Sequence, residues 1–234
     1  MGYFSSYYFA FCCFCWSCNS FTQSPAVVSN QEIRSKGKAS KLNKNFPSGI
    51  YEDISLAHDT ITKTVTGVYQ YYDNWNEHFR EYLDVNVFYF SGKEVESDTI
   101  NVKAFWPDND EKIQGQLIIG TKHDSGYLQL HLNKQPLGYN DVDFTKASGV
   151  LMKFEKPRKW FEIRIIKSAI AKIYSLPDSL AVRKGYLIRK DVVKLLSKKN
   201  GWCYIEYNPK NDNTKSAQYW LREEDLFSIN VDNW

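Results

Sequence analysis

Tyr127-Leu128-Gln129-Leu130-His131-Leu132 alternates without a break: Tyr127, Gln129 and His131 share one face, and Leu128, Leu130 and Leu132 share the other. A period of two puts successive side chains on opposite sides of an extended chain, so this stretch reads as a strand with one buried face. The signal recurs on both sides of it. Upstream are Thr62 to Tyr72, Val85 to Phe90, Ile100 to Phe105 and Gln114 to Thr121; downstream are Gly149 to Glu155 and Trp160 to Ile166. Turn residues such as Ser91-Gly92-Lys93 and Asp108-Asn109-Asp110 separate the runs at roughly ten-residue spacing. Short strands so spaced predict an antiparallel β-sandwich or small barrel from Gly49 to about residue 167. Only His78 to Leu83 has a pattern that allows a helical turn.

Composition agrees with an all-β chain. The 234 residues are 43% hydrophobic and 24% charged, which belongs to a folded protein of one large or two small domains. The 16 Tyr, 14 Phe and 7 Trp favour pleated, half-buried surfaces. The net charge of +3 conceals a division. Residues 50–150 hold 16 acids and 8 bases, whereas residues 151–199 hold 14 bases and 4 acids. Such a basic strip can bind an anionic polymer or complement the acidic block. Nucleic acid is disfavoured, because the strip carries no helix-turn-helix and no RNA-binding aromatic motif.

Four of the five cysteines, Cys12, Cys13, Cys15 and Cys18, fall near the N-terminus inside an uncharged aromatic stretch. From Phe4 to Trp16 that stretch is shorter than the ~20 residues a membrane-spanning helix needs, and it has the length of a signal-peptide core. Residues 1–18 are therefore expected to direct export. Cys15-Trp16-Ser17-Cys18 resembles a bacterial lipobox, with Ser17 before a Cys18 that would carry the lipid. The preceding residues lack Lys or Arg, a departure that also fits a misassigned start codon. A metal reading of Cys15-x-x-Cys18 finds no second Cys or His pair at a suitable distance. Residues 19–48, rich in Ser, Asn and Lys, read as a flexible basic linker.

The C-terminal third orders its residues in a recognisable way. Ala171 to Pro177 is a strand closed by a proline turn. Tyr186-Leu187, Asp191, Val193 and Leu196 follow, then Gly201, Trp202, Ile205 and Tyr207, then Trp220, Leu221, Asp225 and Leu226. This succession, over residues 168 to 227, resembles the bacterial SH3-type domain, with its "YL-x-x-G-D-x-V-x-x-L", "G-W-x-x-I-x-Y" and "G-W-(I/L)-x-x-x-D-L" elements. Lys190 and Tyr219 stand where the family carries glycines. The resemblance implies an SH3-like barrel over residues 168–234 and a binding role on peptide or glycan. Its candidate contacts are Tyr174, Tyr186, Tyr204 and Tyr219, together with Trp202 and Trp220, although rings at strand positions in so small a barrel commonly form its core.

Residues able to do chemistry are sparse. His58, His78, His123 and His131 show no metal-ligand spacing, and no G-x-S-x-G or phosphate-binding loop is present. Cys203 sits mid-strand on the expected inward face, where a thiol acts as a small apolar filler. The carboxylates Asp108, Asp110 and Glu111, and Asp141 with Asp143, cluster in turns that are commonly solubilising. No catalytic residue, metal or cofactor is expected. The leading expectation is a non-catalytic exported envelope protein that binds a protein partner, in the manner of an inhibitor or immunity protein against a wall-active enzyme. Its acidic aromatic stretch Asp73 to Asp84, with Trp75 and Glu77, is the contact to look for. The alternative is a peptidoglycan-binding module, and the third is a β-barrel hydrolase built around His123 and Asp124. Membrane contact would come only through a lipid on Cys18.

Overall fold

The computed structural model describes residues 47–79, 81–94, 99–107, 109–122, 125–136, 142–209 and 216–227. The expected export segment, with Cys18, and nearly all of the linker lie outside them, as do His123, Asp124, Asp108 and Asp141. Strands β1 (Gly49–Tyr51), β2 (Ile54–Asp59), β3 (Thr64–Asn76), β4 (Glu81–Lys93), β5 (Thr99–Trp106), β6 (Asn109–Lys122), β7 (Ser125–Leu132) and β8 (Val150–Pro157) pair in sequence order. The three residues of β1 pair antiparallel with both β2 and β8, which closes the barrel. Strands β9 (Glu162–Ile165), β10 (Ile170–Tyr174), β11 (Val182–Ile188), β12 (Val192–Lys199), β13 (Trp202–Tyr207) and β14 (Ala217–Arg222) form a second antiparallel sheet in the order β11-β10-β14-β13-β12-β9. The chain is all-β, and no α-helix occurs among the described residues.

Alternation explains the barrel interior. Ile100, Val102 and Ala104 from β5, Leu117 and Ile119 from β6, and Leu128, Leu130 and Leu132 from β7 are buried in one cluster with Tyr69, Phe88 and Phe90. The barrel is thus filled by its own side chains. Gly67 makes room for this filling, because a Cβ there would overlap the Phe90 ring. Phe144, from the connection between β7 and β8, plugs the interior edge-on against Tyr69 and Phe88, both at 5.2 Å between centroids. Its backbone N–H donates to Gln135 Oε1 at 3.0 Å, so the plug is tied to the end of β7.

The alternation is blurred along β3, where Val65 to Gln70 are buried on both faces. The outward face is covered by the second sheet: Ala57, Val68, Tyr89 and Phe105 on the barrel pack with Trp160, Ile163, Ile165 and Val192. Each such apolar side chain taken from water contributes roughly 1.5–3 kcal/mol. The buried Ile163 N–H donates to Thr66 Oγ1 at 2.8 Å, a polar link across 97 residues of sequence. The second sheet keeps its other face for its own core, which includes Ile173, Val193, Leu195, Cys203, Ile205 and Leu221.

Two expectations need correction. The described residues of His78 to Leu83 hold no helical turn. The chain turns at Glu77–Phe79, where Asn76 Oδ1 accepts from the N–H groups of His78 at 2.9 Å and Phe79 at 3.0 Å, and then pairs back as β4. An asparagine turn followed by aromatic cross-strand partners outweighs the weak local helical pattern. The run Trp160 to Ile166 was grouped by sequence with the first block, yet β9 pairs with β12 and belongs to the second sheet. Local alternation gives the strand but not its neighbour, which is chosen by long-range pairing.

Candidate functional site

The β3–β4 hairpin outgrows the barrel. Strand β2 pairs with β3 only as far as Tyr69, and β5 pairs with β4 only from Tyr89 onward, while β3 and β4 continue to pair out to Asn76 and Glu81. The remainder is a two-stranded arm. It carries Trp75, Phe79 and Leu83 at 44%, 65% and 58% exposure, with Asp73 and Glu77 also exposed. The Tyr82 ring lies 5.4 Å from Tyr72 and 4.9 Å from Trp75, so the arm is stiffened by its own aromatics. Large apolar side chains on an acidic projection make a surface suited to a partner. The sequence singled out Trp75 and Glu77, and the fold presents both near the tip.

At the base of the arm a cleft of about 560 Å³ opens between the barrel and the second sheet. Gln70, Tyr72, Val87 and Tyr89 form one wall, Trp106, Pro107, Asn109 and Glu111 a second, and Lys190, Asp191, Val192, Tyr207 and Asn208 the third. Gln70 Nε2 donates to the Tyr72 hydroxyl at 3.1 Å, and the Tyr207 hydroxyl donates to Asp191 Oδ1 at 3.1 Å. Asp191 Oδ2 accepts from the Ile188 N–H at 2.8 Å. The Tyr89 hydroxyl reaches the Lys190 carbonyl at 3.4 Å, joining barrel to sheet. Burial pushes the phenols of Tyr72, Tyr89 and Tyr207 upward, so all three keep their protons at neutral pH. Lys190 has φ +76°, the left-handed region where the resembled family carries glycine. No sequence pattern announced this cleft, because its walls are 138 residues apart at their extremes, Gln70 and Asn208.

The SH3-type candidates divide. Tyr174 is buried, edge-on to Trp202 at 4.8 Å, and Tyr204 lies 5.1 Å from Trp220 with its hydroxyl donating to Gln218 Oε1 at 2.9 Å. The Arg222 guanidinium sits 4.8 Å over Trp202. Trp202, Tyr204 and Trp220 share the face of β13 and β14 opposite the buried core, so these rings form a half-exposed aromatic platform. Tyr219 instead packs on that core, with Arg183 5.9 Å over its ring, and Tyr186 is exposed on β11.

Among the described residues the groups capable of catalysis are dispersed. His58 is buried at one end of the barrel with Nε2 3.1 Å from Glu94 Oε2. Burial lowers its imidazole pKa against the opposing pull of Glu94. His78 lies at the arm tip and His131 on β7, where Nδ1 meets the Lys146 carbonyl at 2.9 Å. Cys203 is fully buried, with its thiol pushed up to about 11 by desolvation, so it is a core filler and not a nucleophile. Among the described residues no three His, Cys, Asp or Glu side chains gather as a metal site would require. In comparisons with known proteins, the chain matches no family model, no curated protein and no solved structure.

Proposed function

We propose that the chain is a non-catalytic binding protein of the cell envelope that engages a protein partner through the β3–β4 arm. The observation that carries this reading is the arm itself, whose exposed Trp75 and Phe79 stand beside the exposed acids Asp73 and Glu77 at the end of a rigid barrel. Aromatic anchors ringed by charge are the usual energetic centre of an interface. The acidic sign fits a basic cleft, such as that of an enzyme which must hold an anionic wall polymer, so an inhibitor or immunity role is its concrete form. Export comes from the uncharged segment before Ser17, and Cys18 is the residue that would be lipidated. The C-terminal sheet is taken as a bacterial SH3-type domain on the motif order around Tyr186, Trp202 and Trp220.

The test is capture from an envelope extract using the full chain and a Trp75→Ala/Glu77→Ala double variant. The identified hydrolase is then assayed on purified cell walls. The reading expects one wall-active enzyme to be captured and slowed by the parent chain and released by the variant. An unchanged set of partners would sink it.

A second reading is favoured by the platform of Trp202, Tyr204 and Trp220 with Arg222. It is a wall-binding module in which the SH3-type domain docks on peptidoglycan. Sedimentation of the full chain with purified sacculi, compared with a Trp202→Ala/Trp220→Ala variant, separates the two. The arm reading expects no difference between them.

A further inference from the structure

The cleft between the barrel and the second sheet is used by neither reading. We infer that it is a binding site for a small neutral sugar, a mono- or disaccharide, held between Trp106, Tyr72 and Asn208.

The walls belong to one folded unit, since the buried contacts of Val68 and Tyr89 with Ile163 and Val192 fix the sheet against the barrel. A preformed concavity of about 560 Å³ lies in the range that holds small ligands. Its chemistry narrows the class. The buried Asn208 Oδ1 has no hydrogen-bond partner among the described residues. A buried acceptor left unmade costs free energy, so a ligand toward which the Asn208 amide turns, and which supplies an O–H or N–H to it, gains what the free protein forgoes. The Tyr72 hydroxyl accepts from Gln70, which leaves its own proton to donate elsewhere; burial keeps that proton in place at neutral pH. The site therefore offers both a donor and an acceptor, which a hydroxyl-bearing ring answers with one kind of group.

Charge excludes the other classes. An anion would meet the carboxylates of Glu111 and Asp191, with Lys190 as the cation in the lining and the Lys134 charge already taken up by Glu111. A cation would find those carboxylates engaged, Glu111 by the Lys134 ammonium and Asp191 by Tyr207 and the Ile188 N–H. A purely apolar ligand would leave Asn208 and Tyr72 unanswered. A flat apolar surface is still present: the half-buried Trp106 indole, beside Val87, Pro107 and Val192, offers a plane on which the C–H face of a sugar ring can stack. Lys190, with its strained backbone, sets the third wall. Strain retained in a cleft where glycine would relieve it is what a positioned side chain produces.

Isothermal titration of the full chain with maltose, cellobiose and diacetylchitobiose, with a capped neutral tripeptide as comparison, tests the inference. At least one disaccharide is expected to bind with millimolar affinity or better. Tyr72→Phe and Asn208→Ala are each expected to weaken it about tenfold, the scale of one buried hydrogen bond. Trp106→Ala is expected to weaken it more. Leu180→Ser, at the exposed turn between β10 and β11, should leave it unchanged, and the melting temperature of each variant reports whether the fold is intact. Binding of no disaccharide overturns the inference. So does binding that Tyr72→Phe and Asn208→Ala leave untouched in folded protein, or binding of the tripeptide alone. None of these outcomes bears on the arm, which Trp75 and Glu77 test separately.

Discussion

In the barrel every strand has two neighbours, because the three residues of β1 join β2 to β8; in the second sheet β11 and β9 have one each. The barrel therefore has no free edge where it is closed. The second sheet hides β9 against the barrel wall and leaves β11 open, with Val182, Tyr186 and Ile188 about half exposed. That open edge is guarded by other means. Gly185 at φ +102° and the register shift between Lys172 and Tyr174 break the regular ladder, and Arg183 and Lys184 add charge. Among the described residues the arm is the barrel's longest two-stranded excursion beyond its own closure. Geometric completeness and interaction surface are thus divided within one chain: the closed region gives rigidity, and its unpaired extensions give contact.

Glycine substitutions break this contrast most directly. A Cβ on Gly67 would overlap the Phe90 ring, and the packed interior leaves that ring nowhere to go. Gly67→Ala is expected to lose about 2–3 kcal/mol, the upper range for overpacking, and to lower the melting temperature by several degrees. In the second sheet a Cβ on Gly185 meets nothing nearer than Ile173 Cδ1 at 3.6 Å, so only the backbone conformation is penalised. Gly185→Ala should then lose about 1 kcal/mol. Thermal unfolding of both variants checks the order; equal losses would mean that barrel closure confers no special rigidity.

The wall shared by the two regions carries a charge that sharpens the comparison. Lys194 is buried on β12 opposite Glu206, with its ammonium 5.7 Å from the Trp160 ring and Arg158 adding repulsion. Desolvation pushes its pKa from 10.5 down to about 8, against the attraction of Glu206. The folded chain thus releases this proton near pH 8, while the unfolded chain keeps it to about 10.5. Below pH 8 both states are charged and the cost of burying the ammonium is present in full. As pH rises from 8 to 10.5 that cost is relieved, so stability from this group increases with pH. Lys194→Met removes it. The variant should be the more stable at pH 7 by an amount on the order of 1–3 kcal/mol, and the gap should shrink towards pH 10. Melting curves across that range check the slope, and parallel curves would show that Lys194 does not titrate.

Much of the architecture was legible because alternation is local. Leu128, Leu130 and Leu132 point inward as their period demands, and Cys203 fills the second core as its position in β13 implied. What was not legible depends on partners distant in sequence. Thr66 and Gln70 are polar positions on β3, yet both are buried, and Thr66 accepts the Ile163 N–H from the second sheet. β9 looked like a continuation of the first block until its pairing with β12 reassigned it. The arm was half legible: Trp75 and Glu77 drew attention by composition, but a turn set by Asn76 replaced the helical turn there. The cleft could not be read at all, since Tyr72, Trp106 and Asn208 meet only when barrel and sheet are packed together.

The smallest expected effect lies at Lys190, where sequence resemblance and geometry meet. A residue with a Cβ at φ +76° is held in a region that costs it on the order of 1 kcal/mol, and glycine occupies that region freely. Lys190→Gly relieves this strain but also loosens the unfolded chain, which takes back part of the gain. The net should be a stabilisation of about 0.5 kcal/mol, read as a rise of one to two degrees in the melting temperature. A loss would mean that the lysine side chain contributes more to the junction than its backbone costs. A gain in stability accompanied by weaker disaccharide binding would separate the two roles. The turn from β11 to β12 would then be a position at which fold stability has been exchanged for a side chain in the cleft.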